Sequence, residues 1–292
     1  MKKRPTITVC VPARNEAATV GSVVRRLRRA LIEQDGLVDD IVVVDDYSDD
    51  DTARVAERAG ARVVATARHA GDLPTRGGKG DAVWAGVKEC RTDLIGFVDA
   101  DLTRLRARGL WNLFVPLIDD PRVQLTKGFV TRVTDERTVE EGRVTALTAR
   151  PLLTLLHPAA ATVREPLGGM FAGRTAELGS LWLDSDYGVD VGILLDIIDR
   201  HGRDAVVDVP LGRISHRNRP LSELTRTSTQ VARAILARAR ATSVVSLDLE
   251  QRRPPALHRF DHPLVVRTRE EVTSGAVARD VSRAVSRAAS DS

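Results

Sequence analysis

The run Asp40-Ile41-Val42-Val43-Val44-Asp45-Asp46-Tyr47-Ser48-Asp49-Asp50-Asp51-Thr52 decides the fold. Its first part reads as a strand that stays apolar from Ile41 to Val44, as expected when helices cover both faces of a sheet. It ends in carboxylates and leads into a helix beginning near Thr52. Upstream, Thr6-Ile7-Thr8-Val9-Cys10-Val11-Pro12-Ala13-Arg14-Asn15-Glu16 is a β-branched strand broken by Pro12 and followed by a short polar turn. Val20, Val23, Val24, Leu27 and Leu31 then recur at helical spacing. Downstream, Ala61-Arg62-Val63-Val64-Ala65 reads as a third strand and Leu94-Ile95-Gly96-Phe97-Val98 as a fourth. This alternation of strands and helices argues a parallel α/β sheet. Ligands of such sheets bind at the carboxyl ends of the strands. Residues 12–16, 45–48 and 99–101 all fall there.

The fourth strand ends in Val98-Asp99-Ala100-Asp101. On a strand, residues i and i+2 point to the same side, so Asp99 and Asp101 are expected to converge on one ligand. Two carboxylates suit a hard divalent cation that keeps substrate phosphates in its shell. Asp pairs also end strands and start turns, so the motif gains weight only from its surroundings. Arg76-Gly77-Gly78-Lys79-Gly80-Asp81 precedes a helix expected over residues 81–90. Its glycines permit close backbone approach, and Lys79 is a workable point charge for a phosphate. The plain alternative is a flexible surface loop. Neither a dinucleotide fingerprint nor a P-loop occurs.

Taken together, these segments resemble the nucleotide-binding segments of GT-A glycosyltransferases of the family 2 type. Further stretches resemble the glucosyl-3-phosphoglycerate synthases, in the same order along the chain. They are Gly78-Lys79-Gly80-Asp81-Ala82-Val83-Trp84, Gln124-Leu125-Thr126-Lys127-Gly128-Phe129, Gly142-Arg143-Val144-Thr145, Pro166-Leu167-Gly168-Gly169, Tyr187-Gly188-Val189-Asp190 and His216-Arg217-Asn218-Arg219. The resemblance spans roughly residues 6–240.

The resemblance implies a GT-A, mostly parallel sheet flanked by helices, with an acceptor-binding subdomain behind it. It implies a nucleotide-sugar donor, UDP-glucose or a related one, held by Pro12, Ala13, Arg14, Glu16, Asp45, Ser48, Lys79, Asp99, Ala100 and Gly168. It implies Mg²⁺ or Mn²⁺ on Asp99, Asp101 and His216, with Asp101 and Asp190 as the catalytic carboxylates. A neutral imidazole suits Mn²⁺ better than Mg²⁺; the other reading of His216 is a surface histidine in a basic loop. Gly142, Arg143, Thr145 and Asn218 would hold a small anionic acceptor such as 3-phosphoglycerate. Arginine binds oxyanions through its planar fork.

Three departures stand out. Met170 and Phe171 occupy positions where the family has Glu and Tyr, and Asp190 stands where Glu is frequent. A Met side chain cannot accept hydrogen bonds from sugar hydroxyls as a carboxylate would. Retention of configuration follows only from the resemblance. An inverting family 2 enzyme with another acceptor would need a carboxylate base, for which Asp186 or Asp190 is available. A nucleotidyltransferase would carry a Gly-rich loop where Val11-Pro12-Ala13-Arg14-Asn15-Glu16 has none. A non-catalytic sugar-nucleotide binding homologue would bind without turnover.

Composition bounds these readings. The chain has 292 residues, 42% hydrophobic but only 3% aromatic, and a formal net charge of +4. Lys and Arg (44) nearly balance Asp and Glu (40), and no basic run is interleaved with aromatics, so a nucleic-acid partner is not indicated. Cys10 and Cys90 belong to no Cys-x-x-Cys motif, which is the usage of reduced thiols in a cytoplasmic protein. No apolar stretch approaches the ~20 residues of a membrane span. Residues 1–132 read as the donor half, with a strand over 123–130. Residues 133–242 read as the acceptor half, with helices over 144–156, 188–201 and 221–241 and a strand over 205–209. Residues 243–292 read as a tail or a dimer arm, with Val277, Val281 and Val285 at helical spacing, and the resemblance implies a homodimer.

Overall fold

The computed structural model describes residues 4–72, 77–102, 107–134, 137–139, 142–215 and 221–239. Its elements run β1 (Ile7–Ala13), α1 (Val20–Leu27), β2 (Asp40–Asp45), α2 (Thr52–Arg58), β3 (Arg62–Ala65), α3 (Lys79–Glu89) and β4 (Leu94–Phe97). There follow α4 (Val115–Asp119), β5 (Leu125–Thr134), β6 (Arg137–Val139), α5 (Arg150–Leu156), α6 (Pro158–Ala161), β7 (Phe171–Arg174) and α7 (Thr175–Gly179). The last three are α8 (Val189–His201), β8 (Val206–Ser215) and α9 (Leu221–Arg238).

Among the described residues, eight strands form one mixed sheet in the order β3-β2-β1-β4-β7-β5-β6, with β8 paired to β5. The first half is parallel, as its apolar runs require: Ala13 pairs with Asp45 and Cys10 with Phe97. The second half departs from a parallel sheet because β7 enters antiparallel between β4 and β5. The sequence pattern predicts no strand there, since four residues containing Gly173 carry too little alternation. The expected strand over 205–209 extends to Ser215 because β5 offers it a parallel partner on both sides of a bulge between Phe129 and Thr131.

The sheet buries a layer on each face. Val9, Val11, Ile41 and Val43 point to one face, with Val20, Val24 and Leu27 of α1, Phe114 and Leu117. Cys10, Val42, Val44 and Phe97 point to the other, with Val83 of α3, Leu153 of α5, Val191 and Leu194 of α8, and Ile235 of α9. This is period-two alternation on strands covered from both sides. The helix expected over 144–156 is a wider π-turn, Thr145–Ala149, running into α5. Pro151 at the start of α5 has no N–H to complete the ordinary ladder there.

Cys10 and Cys90 are both free. Burial pushes the Cys10 thiol well above its ordinary pKa, the behaviour of an inert core thiol. Among the described residues no helix is long and apolar enough to cross a membrane.

Candidate active site

The register of β1 on β2 sets their two polar turns side by side, and hydrogen bonds stitch them together. Asn15 N–H donates to Ser48 Oγ (3.0 Å), Asp49 N–H to Asn15 Oδ1 (2.8 Å), Glu16 N–H to Thr52 Oγ1 (2.8 Å) and Asp46 N–H to Ala13 O (2.9 Å). Asn15 (φ 56°) and Tyr47 (φ 53°) both take left-handed backbone, which non-glycine residues keep only where surroundings enforce it. Pro12, Ala13, Arg14, Glu16, Asp45 and Ser48 are thus gathered at one strand end. Ser48 accepts from the neighbouring turn, and Glu16 Oε2 accepts from Thr19 Oγ1 (2.6 Å). In this structure both shape the turns.

Asp46 is not among the residues expected from the sequence, yet it is more unusual than its neighbour Asp45. It is buried, with Arg14 Nη1 3.8 Å from its Oδ2. Burial pushes its carboxyl up to about 6, with Arg14 opposing the shift. Buried oxygens of Asp45, Asp46 and Tyr47 lack a hydrogen-bond partner. An Asp doublet at the end of an apolar strand was the available signal.

β4 ends at Phe97, where its pairing with both β1 and β7 stops. Asp99, Ala100 and Asp101 therefore lie beyond the strand, the last two in a turn, and strand alternation does not set the relative direction of the two carboxylates. Asp99 is 41% exposed and Asp101 is exposed, while Ala100 is buried. His216 and Asn218 lie outside the described residues. Among the described residues no group of three or more His, Cys, Asp or Glu side chains is assembled as a metal cage. The chemistry of the two carboxylates fits a hard cation: oxygen donors, open to solvent, that leave coordination positions for phosphate and water.

Lys79 is the first residue of α3 and Asp190 the second of α8. Lys79 Nζ donates to Asp190 Oδ2 at 2.6 Å and lies 4.0 Å from Asp99 Oδ1. Burial alone would lower the lysine, but Asp190 and Asp99 outweigh it and hold the ammonium above its ordinary pKa. Asp190 Oδ1 is buried without a hydrogen-bond partner. The glycines around Lys79 do not make a flexible loop. A Cβ on Gly80 would sit 1.7 Å from Asp184 O, and one on Gly78 2.3 Å from Ser185 O. Their role is close approach to the 184–185 backbone, to which Asp81 N–H also bonds (3.2 Å to Ser185 O). Asp186, a candidate base, is engaged at both oxygens, by Gly188 N–H (2.9 Å to Oδ1) and by Arg233 on Oδ2.

The residues expected to hold the acceptor, Gly142, Arg143 and Thr145, begin the helical segment before α5. Gly142 O accepts from Ala146 N–H (2.9 Å). Arg143 is exposed and Thr145 buried, as two residues separated by about 200° on a helix must be when one faces the core. Gly168 O accepts from Lys127 Nζ at 2.7 Å. Met170 is 6% exposed and belongs to the core layer with Val130, Val209 and Leu211. An apolar side chain there is a packing choice. Phe171 likewise stacks on Phe97, ring centroids 4.7 Å apart.

The family model for glycosyl transferase family 2 matches residues 8–157. The chain is 41% identical over 237 residues to glucosyl-3-phosphoglycerate synthase of Mycolicibacterium smegmatis, covering 80% of this chain and 77% of the relative. It is 40% identical over 240 residues to the synthase of Mycobacterium tuberculosis, covering 80% and 73%. The structure of the Mycobacterium tuberculosis enzyme with Mn²⁺, UDP and glucosyl-3-phosphoglycerate superposes with a TM-score of 0.72 at 40% identity, covering 80% of each chain. The complex of that enzyme with Mn²⁺, UDP-glucose and phosphoglyceric acid superposes with a TM-score of 0.73. With the two stitched turns, the Asp99 carboxylate and the Lys79–Asp190 pair at one end of a GT-A sheet, the chain is a glycosyltransferase and belongs to glycosyl transferase family 2.

Proposed function

We propose that this glycosyltransferase moves glucose from UDP-glucose to a small anionic acceptor of the 3-phosphoglycerate type, with a divalent cation, Mg²⁺ or Mn²⁺, on Asp99, Asp101 and His216. The observation that carries the reading is the convergence of Lys79, Asp99 and Asp190 close to the two stitched turns, against whose Arg14 and Tyr47 the neighbouring Gly77 packs. The Mycobacterium tuberculosis complexes, which hold UDP-glucose and phosphoglyceric acid with Mn²⁺, support the same donor and acceptor here. The bound cation supplies neutralisation of the charge that develops on the leaving diphosphate.

The chain's own residues do the rest. Pro12, Ala13, Arg14, Glu16, Asp45 and Ser48 form the nucleoside wall. Lys79 offers its ammonium to a donor phosphate oxygen. Asp190 keeps that ammonium charged. Arg143 meets the acceptor's anionic groups, with Gly142 and Thr145 on the same segment; the resemblance adds Asn218 to this set. Residues 1–132 act as the donor half and 133–242 as the acceptor half. Retention is favoured because Asp186 is bound at both oxygens and Asp190 is paired with Lys79, which leaves neither as a ready base for inversion. The free thiols support a cytoplasmic enzyme. A homodimer is supported by exposed Leu147, Leu155 and Leu236, carried by segments that pack together around α5 and α9.

The test is mass-spectrometric turnover with UDP-glucose, GDP-glucose and GDP-mannose, each with and without 3-phosphoglycerate, and with Asp101→Ala as control. Glucosylated phosphoglycerate formed from UDP-glucose by the wild type alone is the expected result. Donor hydrolysis without that product moves the acceptor elsewhere. Nucleotide binding without turnover favours a non-catalytic homologue.

A further inference from the structure

Lys127 is a lysine in the middle of the sheet. It sits on β5, opposite Phe171 of β7 and Asp208 of β8, and is only 1% exposed. A buried ammonium carries a large desolvation cost, and such a residue flanked by the core residues Leu125 and Val130 breaks the local rule. Burial brings it down to about 8, although Asp190 of α8, Glu165 before β7 and Asp208 pull the other way; Lys79 of α3 adds to the lowering. A chain built for stability alone would place an apolar residue there.

Its contacts show what the cation does. Lys127 Nζ donates to Gly168 O (2.7 Å), and the next residue, Gly128, donates its N–H to Met170 O (2.9 Å). Two successive residues of β5 thus grip alternate carbonyls of one turn. Between them lies Gly169, pressed so close to the site that a Cβ on it would stand 2.5 Å from Asp99 Oδ1 and 2.6 Å from Lys79 Nζ. A second route runs through aromatic rings. Lys127 Nζ lies 5.2 Å from the Phe171 ring centroid, and Phe171 stacks on Phe97, two residues before Asp99.

We propose that Lys127 is a positioning residue of the active site: from beneath, it holds the Gly168–Gly169 turn against Asp99 and Lys79 and so sets where the donor's diphosphate is received. This deepens the donor-site reading above and rests on it. Lys127 touches no reacting atom. It acts through the backbone of Gly168 and Gly169, and a misplacement of about 1 Å at such a site is enough to cost on the order of a hundredfold in rate.

The experiment compares wild type with Lys127→Met, which keeps the bulk and removes the charge, and with Lys127→Gln, which keeps a donor. Three quantities are read: hydrogen exchange of segment 165–170 in the metal-free protein, thermal stability, and turnover of UDP-glucose against pH. Expected are faster exchange confined to that segment, a melting temperature equal to or above wild type for Lys127→Met, and a fall in kcat of about tenfold or more. The wild-type activity should decline as pH rises through about 8, and this limb should vanish in Lys127→Met. Unchanged exchange with kcat within about twofold of wild type would overturn the assignment. So would failure of both variants to fold, which would make Lys127 a structural residue. If wild type itself turns over no donor, the donor-site reading fails, while the exchange result still decides whether Lys127 holds the turn.

Discussion

Lys79 and Asp190 stand 111 positions apart in the chain, yet their side chains meet at 2.6 Å where α3 and α8 begin. Both helices direct their first turns to the same end of the sheet, and the pair is mostly shielded, with 17% and 4% of the two side chains exposed. Removing one partner of such a pair leaves a buried charge alone, which costs far more than the intact pair contributes.

Lys79→Met should therefore destabilise the protein by about 3–5 kcal/mol and abolish donor turnover. Lys79→Met combined with Asp190→Leu should recover much of the stability and none of the activity. Urea unfolding of the three proteins, alongside turnover, checks this. A double variant as unstable as the single one would mean that Asp190 is not charged in the folded state.

Arg238 is the remote support of Lys79. Its guanidinium bonds both oxygens of Asp196 (2.7 and 3.0 Å) and Asp184 Oδ2 (2.8 Å), which fastens the 184–185 backbone, on which Gly78 and Gly80 rest, to α9. Arg238→Ala should raise the donor KM several-fold and leave the acceptor KM near wild type. It should also cost about 2–4 kcal/mol of stability, because Asp184 and Asp196 lose their partner. Steady-state kinetics in both substrates separates the two effects.

Asp46 makes a pH prediction. Its carboxyl rises from an ordinary 3.8 to about 6 on folding, chiefly through burial. The folded state thus favours the protonated form, and the stability this contributes is full below the unfolded value and lost as pH rises through the folded one. Asp46→Asn, which stays neutral, should match wild type at a pH of about 4 and exceed it at a pH of about 8, by up to about 3 kcal/mol. Denaturant unfolding at both pH values measures the difference. A constant difference across the range would place the Asp46 titration at its ordinary value.

Arg143 is exposed at the start of the segment that runs into α5, so replacing it should leave the core intact. Arg143→Ala should keep the melting temperature within about 2 °C of wild type and raise the acceptor KM by about tenfold or more, with the donor KM unchanged. Equal effects on both Michaelis constants would remove Arg143 from the acceptor site.

The parallel half of the sheet was legible in the chain because strands such as Ile41 to Val44 and helices such as α1 carry local, periodic patterns that sterics and burial impose. The polar strand ends at residues 12–16, 45–48 and 99–101 were legible for the same reason: a carboxylate that ends an apolar run must leave the sheet. What the sequence determined by itself was therefore the fold class and the end of the sheet where the candidate site residues gather. Only the tertiary structure decided which side chains meet there. The antiparallel entry of β7, the burial of Met170 and the grip of Lys127 on Gly168 depend on pairing between segments dozens of residues apart. So do the use of Gly78 and Gly80 to seat α3 on the 184–185 backbone and the ion pair of Lys79 with Asp190. The physical reason is that local pattern reports which face of an element is buried, whereas a contact between distant residues is set by register and packing, which no short window of sequence contains.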